Sequence, residues 1–486
     1  TKLVQALTAL NKQGGAWKQV DWTTALEYIA NGLKSIKADH GAKAIGALAS
    51  AHSTVEELHL LAQVVRGLGS DNIDHRLRHS DFGNAAPSGQ ARWLGTRIAS
   101  LSELDRALVI GSNLRKDHPL FAARLRHATR RGAAVSRIGT GSDDWLMPLA
   151  ASQSVAASDW VQALADVAAA LGAGAPLAGT ATEVAQAIAA SLQSGSAKAI
   201  LLGNAAAEHP QASSLLALAQ WIGQQTGASV GYLTAAANTV GAQLVKAQPQ
   251  ADGLNAAQML SGSTLKAALL LNTDPVLDSA NAAAAAKALD AAEMVVVLSP
   301  FKSGLEYADI VLPIAPFTET SGSFVNAEGR LQSFVGVVKP LAETRPAWKV
   351  LRVLGNLLGL AGFDQDSSEQ VREQALGGDF SARLSNATSA TVQLGTKGEG
   401  IERFGHLPIY ASDALVRHAT SLQLTADGRE AATVGLPAGL WQQLGLGEGD
   451  QVRIVQDGGA AQLPARLEAG LPEGVARVPT GIAQTA

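Results

Sequence analysis

Short apolar runs, each closed by a small polar turn and followed by an Ala/Leu-rich amphipathic stretch, recur along this chain. Ala44–Ala49, Ala107–Ile110, Ala133–Ile138, Ala199–Leu202, Ala267–Leu271 and Met294–Leu298 are such runs, and most contain no polar residue. That is the pattern of parallel strands covered on both faces. Between them, Glu56-Glu57-Leu58…Leu60-Leu61…Val64-Val65…Leu68 and Trp160…Leu171 repeat apolar residues at helical spacing. The alternation predicts α/β architecture with right-handed crossovers.

Part of this pattern repeats. Leu108-Val109-Ile110-Gly111-Ser112-Asn113 is followed, five residues after the Asn, by His118-Pro119 and a helix. Ile200-Leu201-Leu202-Gly203-Asn204 is followed at the same distance by His209-Pro210 and a helix. Leu269-Leu270-Leu271-Asn272-Thr273-Asp274-Pro275 is a looser third copy. In each, the strand ends in a small polar loop that opens a helix, the place where open α/β sheets bind ligands. The bland alternative is that Gly and Asn end the strand and Pro starts the helix. Two copies with one Asn-to-His spacing favour related mononucleotide-type units.

Residues 362–405 change character: Gln365-Asp366-Ser367-Ser368, Gly377-Gly378-Asp379 and Gly395-Thr396-Lys397-Gly398 read as a linker. Beyond it, Gln451-Val452-Arg453-Ile454-Val455, the Asp457-Gly458-Gly459 turn and Glu473–Pro479 predict a small β-barrel-like module over 406–486.

Composition narrows the function. Apolar residues make up 47% and charged residues 16% of the 486, the balance of a well-buried protein. A net charge of −4 gives no electrostatic footprint for nucleic acid. No apolar run approaches the ~18–20 residues of a membrane span. There is no cysteine, which removes disulfides, thiolate-bound metals and cysteine-held clusters from this stretch. Thr1-Lys2-Leu3-Val4 has neither an initiator Met nor a signal-peptide pattern, as expected of a piece of something longer.

Few motifs carry chemistry. No G-x-x-x-x-G-K-[ST] occurs, and no G-x-G-x-x-G lies between a strand and a helix. Asp74-His75…His79…Asp81 would put two imidazoles at i and i+4 on one helix face, a geometry suited to zinc or iron. Arg76, Arg78 and Arg92 crowd it, which favours a hydrogen-bonded or ion-paired structural role. Arg124, Arg126, His127, Arg130 and Arg131 form a basic helix with Leu120, Phe121 and Leu125 as its apolar face. It reads as a solvated or subunit-facing surface.

The informative block is Ala308-Asp309-Ile310-Val311-Leu312-Pro313 followed by Thr318–Gln332. It combines a strand ending in Pro, a buried Glu after a short loop, and a Gly-rich hairpin with Asn and Arg. This block resembles the corresponding stretch of the molybdopterin oxidoreductase family. Gly69-Ser70-Asp71-Asn72-Ile73-Asp74 is similar to the segment leading to that family's metal-ligand loop, and Asn238-Thr239-Val240-Gly241 to a cofactor-domain loop. Arg345-Pro346-Ala347-Trp348 and the C-terminal module match its late regions. Within the family, residues 73–82 and 111–119 resemble one branch: the C-terminal part of the iron–sulfur subunit of NADH:quinone oxidoreductase, respiratory complex I, that has this family's fold. Gly14-Gly15-Ala16-Trp17-Lys18…Asp21-Trp22 is similar to the sequence just after the cluster-binding region of that subunit.

The resemblance implies a discontinuous α/β domain (1–80 and 238–361), a Rossmann-like domain (81–237) and the linker and module already described. It implies a non-catalytic scaffold supporting iron–sulfur clusters that lie upstream, in respiratory electron transport from NADH to quinone. Other hydrophilic-arm subunits would be the partners, at the cytoplasmic face of a bacterial inner membrane. No cofactor or metal is expected within this chain. Asn113, Asn204 and Asn238 correspond to pyranopterin-binding loops and would line a vestigial pocket. Ser80 lies nearest the position where catalytic members carry their metal ligand. The alternatives are therefore an active molybdenum or tungsten bis-pterin oxidoreductase with Ser80 on the metal, or a module that retains a nucleotide.

Overall fold

The computed structural model describes residues 6–9, 17–262 and 264–486; Thr1–Val4 and Gly14-Gly15-Ala16 lie outside them. The chain opens with strands β1 (Ala6–Ala9) and β2 (Trp17–Val20), helix α1 (Trp22–His40), β3 (Ile45–Ala49), helix α2 (Val55–Gly67) and the short β4 (Ile73–Asp74). It then leaves to build a second sheet from β5 (Arg106–Ile110), β6 (Ala134–Gly139), β7 (Ala151–Ser154), β8 (Lys198–Leu202) and β9 (Ser229–Tyr232). It returns through β10 (Ala267–Leu271), β11 (Met294–Ser299) and β12 (Ile310–Pro313).

The outer, seven-stranded sheet runs β2-β1-β12-β11-β10-β3-β4 and is parallel except at β1, which pairs antiparallel with β2 and β12. The inserted five-stranded sheet, β7-β6-β5-β8-β9, is parallel throughout. Strands β3, β10 and β11 are buried at every position, which is why their sequences are unbroken apolar runs. Helix α2 starts with a capping box: Glu57 N–H donates to Thr54 Oγ1 (3.2 Å) and Thr54 N–H to Glu57 Oε2 (2.9 Å).

The two acids that open α2 are buried rather than solvated. Glu56 Oε2 accepts the N–H of Ser323 (2.8 Å) at the start of an antiparallel hairpin, β13 (Gly322–Val325) and β14 (Leu331–Phe334). The 308–332 block thus docks on α2. Its Glu319 is only half-buried, because it caps the exposed backbone of Leu341 (3.0 Å). In the basic segment, the helix covers Pro119–Thr129 and buries Ala122, Leu125 and Ala128; Leu120, expected on the apolar face, is 78% exposed.

Residues 362–405 join the α/β body to the C-terminal module but are packed along much of their length. Phe363 and Val371 belong to the core around α2. Asn386 Oδ1 accepts from Trp93 N–H (3.0 Å), while its Nδ2 donates to Val230 O (2.8 Å), so the segment straps the inserted sheet. The module is a five-stranded sheet, β15 (Glu402–His406), β16 (Val434–Leu436), β17 (Gln451–Gln456), β18 (Gly459–Leu467) and β19 (Val475–Pro479), ordered β15-β19-β16-β18-β17. Among the described residues, no helix is long and apolar enough to cross a membrane.

Candidate functional site

The carboxyl ends of both parallel sheets face an interior crevice, the position where α/β sheets hold ligands. Two loops there are built alike. After β5, Gly111 turns through φ +60°; a Cβ on it would meet Ala206 N and Trp160 at 2.7 Å, so only glycine fits. Asp117 Oδ2 then accepts Asn113 N–H (2.9 Å) and Ser112 Oγ–H (3.3 Å). After β10, Asn272 turns through φ +52°, and Asp278 Oδ2 accepts Asp274 N–H (2.9 Å) and Thr273 Oγ1–H (2.9 Å). The strands before Asn113 and Asn204, β5 and β8, are adjacent and parallel, but their loops differ: Gly203 is extended (φ −85°) and the helix opens at Asn204 itself, whereas Gly111 turns left-handed and the helix opens after Asn113.

The two loops differ in charge. Asp278 receives Arg78 Nη2 (3.1 Å) and Arg417 Nη1 (2.8 Å). Burial pushes its carboxyl up, but the two guanidinium groups outweigh burial and hold it below the ordinary range. Asp117 has no such ion pair among the described residues, and burial pushes it up to about 6 against its bonds to Asn113 and Ser112. Burial likewise pushes Glu208 up to about 7, opposed by the charge of Arg78, and it makes no hydrogen bond among the described residues.

Residues 75–82 form a turn-rich loop, not the helix that would align His75 with His79. The cause is Asp74, fully buried, whose carboxylate gathers the backbone of His75 and Arg76 and the Arg76 side chain (Nε 2.8 Å, Nη2 2.9 Å). His75 Nδ1 lies 3.0 Å from Ala247 O. Among the described residues, no group of three or more His, Asp or Glu could hold a metal ion.

Two cavities of about 160 and 170 Å³ occupy the crevice. Asn113 lines the second and Asn204 lines both; each has a buried Oδ1 without a partner. Asn238 is placed elsewhere. It is fully buried, donates to Ser53 O (2.9 Å) and accepts from Val325 N–H (2.8 Å), tying the α2 loop to the hairpin. Ser80 is exposed and lies outside both cavities. Sequence reasoning missed Asp117, Asp278, Glu208 and Arg417. A signal for the first two was present, a Ser or Thr five residues before an Asp just after each strand.

Two parallel sheets meeting at their carboxyl ends across a crevice define an α/β protein of the kind that holds a ligand between domains. The chain belongs to the molybdopterin oxidoreductase family, whose model matches residues 8–357. It is similar to probable oxidoreductase YjgC of Bacillus subtilis strain 168, 24% identical over 440 residues, covering 75% of this chain and 44% of that protein. It is similar to the same extent, 24% over 441 residues with 75% and 44% covered, to putative formate dehydrogenase SAR2393 of Staphylococcus aureus strain MRSA252. The chain therefore spans less than half the length of these relatives. Among solved structures, acetylene hydratase from Pelobacter acetylenicus shares the fold: TM-score 0.78 and 15% identity, with 99% of this chain and 85% of that one covered.

The crevice residues do not fit a metal carried on two pterin dinucleotides. Even joined, the two cavities would reach only the lower bound of ~300 Å³ at which pockets take drug-sized ligands. Arg76, Arg78 and Arg417 are engaged by Asp74 and Asp278. Ser80, which the resemblance places nearest the family's metal-ligand position, is exposed to solvent.

Proposed function

We propose that this chain is a non-catalytic scaffold within the large iron–sulfur subunit of NADH:quinone oxidoreductase. Clusters on a preceding segment would carry electrons from NADH toward quinone, and the α/β body would fix their positions and exclude water. Its partners would be the other subunits of the hydrophilic arm, at the cytoplasmic face of a bacterial inner membrane. The observation that carries this reading is the ligand loop. Its arginines are folded into ion pairs with Asp74 and Asp278, and Ser80 stands outside the crevice. The likeness of residues 73–82 and 111–119 to that iron–sulfur subunit supplies the particular complex.

A second reading is an active molybdenum or tungsten enzyme. It is favoured by relatives named as putative formate dehydrogenases and by the fold shared with acetylene hydratase. It requires Ser80 to turn inward and the Asp278 ion pairs to open. Elemental analysis and pterin extraction of the protein purified from its native host separate the two. The scaffold reading predicts background molybdenum and tungsten and no extractable pterin. About one metal per chain with pterin would establish the enzyme.

A further inference from the structure

An apolar strip lies on the surface just after β14. Val335, Val337, Val338 and Leu341 are exposed, Val337 to 83%, and Phe317 beside them to 54%. Residues 331–342 carry a single charge, Lys339. The strip is held in place: Val337 N–H (2.8 Å) and Val338 N–H (3.2 Å) donate to Thr318 O, and Leu341 N–H donates to Glu319 Oε2 (3.0 Å). These bonds lay the backbone along residues 318–319, next to Phe317, and the side chains left in solvent are apolar. Contiguous exposed apolar surface of this kind marks an interaction face, and scarcity of charge is the mark of an interface core.

The direction of β1 says what reaches this face. It is antiparallel to β12, with Leu7 opposite Val311 and Thr8 opposite Ile310. Going back along β1 therefore leads toward the carboxyl end of β12 at Pro313, from which Ile314–Phe317 continue. The strip returns to the same place, since Arg345 N–H donates to Pro313 O (3.1 Å) and Ala315 N–H to Arg345 O (2.8 Å). Four residues, at most ~14 Å of extended chain, separate Pro313 from Phe317. More than half of each relative lies outside the 44% that this chain covers. We propose that the strip seats the segment of polypeptide that precedes Thr1, through Phe317, Val335, Val337, Val338 and Leu341. Such a segment is tethered beside its seat and docks at an effective concentration in the mM range. The strip is already ordered, which lowers the entropy lost on docking. The inference rests on the part of the proposed function that puts a cluster-bearing segment ahead of this chain, and it names the face that holds that segment.

The test uses the full-length protein purified from its native host, with the photocrosslinker p-benzoylphenylalanine in place of the exposed Val337. Expected after irradiation and digestion is a crosslink to residues of the same polypeptide upstream of Thr1. In a double variant, Val337→Asp with Val338→Asp, limited trypsin digestion should release the upstream segment at least tenfold faster, with the melting of the α/β body unchanged. A crosslink to another subunit or within residues 1–486, or none at all with an unchanged release rate, would overturn the inference and leave the scaffold reading standing. An intact mass and iron content that show no cluster-bearing segment would overturn both. Molybdenum and pterin together with the expected crosslink would support the seat and overturn the scaffold reading alone.

Discussion

In the loop that leaves β5, Gly111 turns left-handed and Asp117 collects a hydroxyl and an N–H five and four residues behind it. In the loop that leaves β10, Asn272 makes the same turn and Asp278 the same two bonds. The backbone device is identical, but Asp278 is neutralised by arginines 200 and 139 positions away, and Asp117 faces its cavity without one. The same local sequence solution thus gives a closed, ion-paired wall on one side of the crevice and an open, titratable one on the other.

The largest break in this comparison should come from Asp278→Ala. It strands two partly buried guanidinium groups, and removing one partner of a buried pair costs roughly 3–5 kcal/mol. Asp117→Asn, which keeps the acceptor and removes the ionisation that burial opposes, should lose no stability at pH 7 and gain at most about 3 kcal/mol. Denaturant midpoints of the two variants test this, and equal losses would contradict it.

The next effect is a pH dependence. Asp117 binds its proton more tightly folded than unfolded, so the native state holds more protons between the unfolded value, ~4, and about 6. Stability therefore falls as pH rises through that window, by at most about 3 kcal/mol. Asp278 has the opposite sign, its contribution being lost only as pH falls below the ordinary carboxylate range. Between pH 4 and 6, thermal melts of Asp117→Asn should lose this share of the slope, while Glu208 keeps its own toward pH 7 and Asp278→Asn keeps both. Smaller still, Asn238→Ala should cost about 2 kcal/mol by orphaning Ser53 O and Val325 N–H. Asn113→Ala, whose Oδ1 has no partner, should cost less than about 0.5 kcal/mol. Melting temperatures of that pair rank a structural against a cavity-lining asparagine.

The elements were legible because they are local. The all-apolar runs became fully buried strands, Trp160–Leu171 is a helix as its spacing predicts, and the Gly-Asn…His-Pro repeat marks neighbouring strands. The crevice was less legible because its charge balance is made across the chain. Nothing near Arg78 announces Asp278, and nothing near Asp278 announces Arg417. The expected helix over His75 and His79 failed for a related reason: a buried Asp74 captures the backbone and side chain that follow it. Residues 362–405 have a linker's composition, yet Asn386 and Phe363 find partners in the body that no window of sequence reveals.

The central claim, that ion pairs close this crevice against a metal cofactor, is met most directly by a high-resolution experimental structure of the protein purified from its native host. Asp278 should bridge Arg78 and Arg417, Arg76 should be clasped to Asp74, and Ser80 should stand in solvent. Ser80 Oγ turned onto a metal, with pterin density where those side chains now meet, would contradict it.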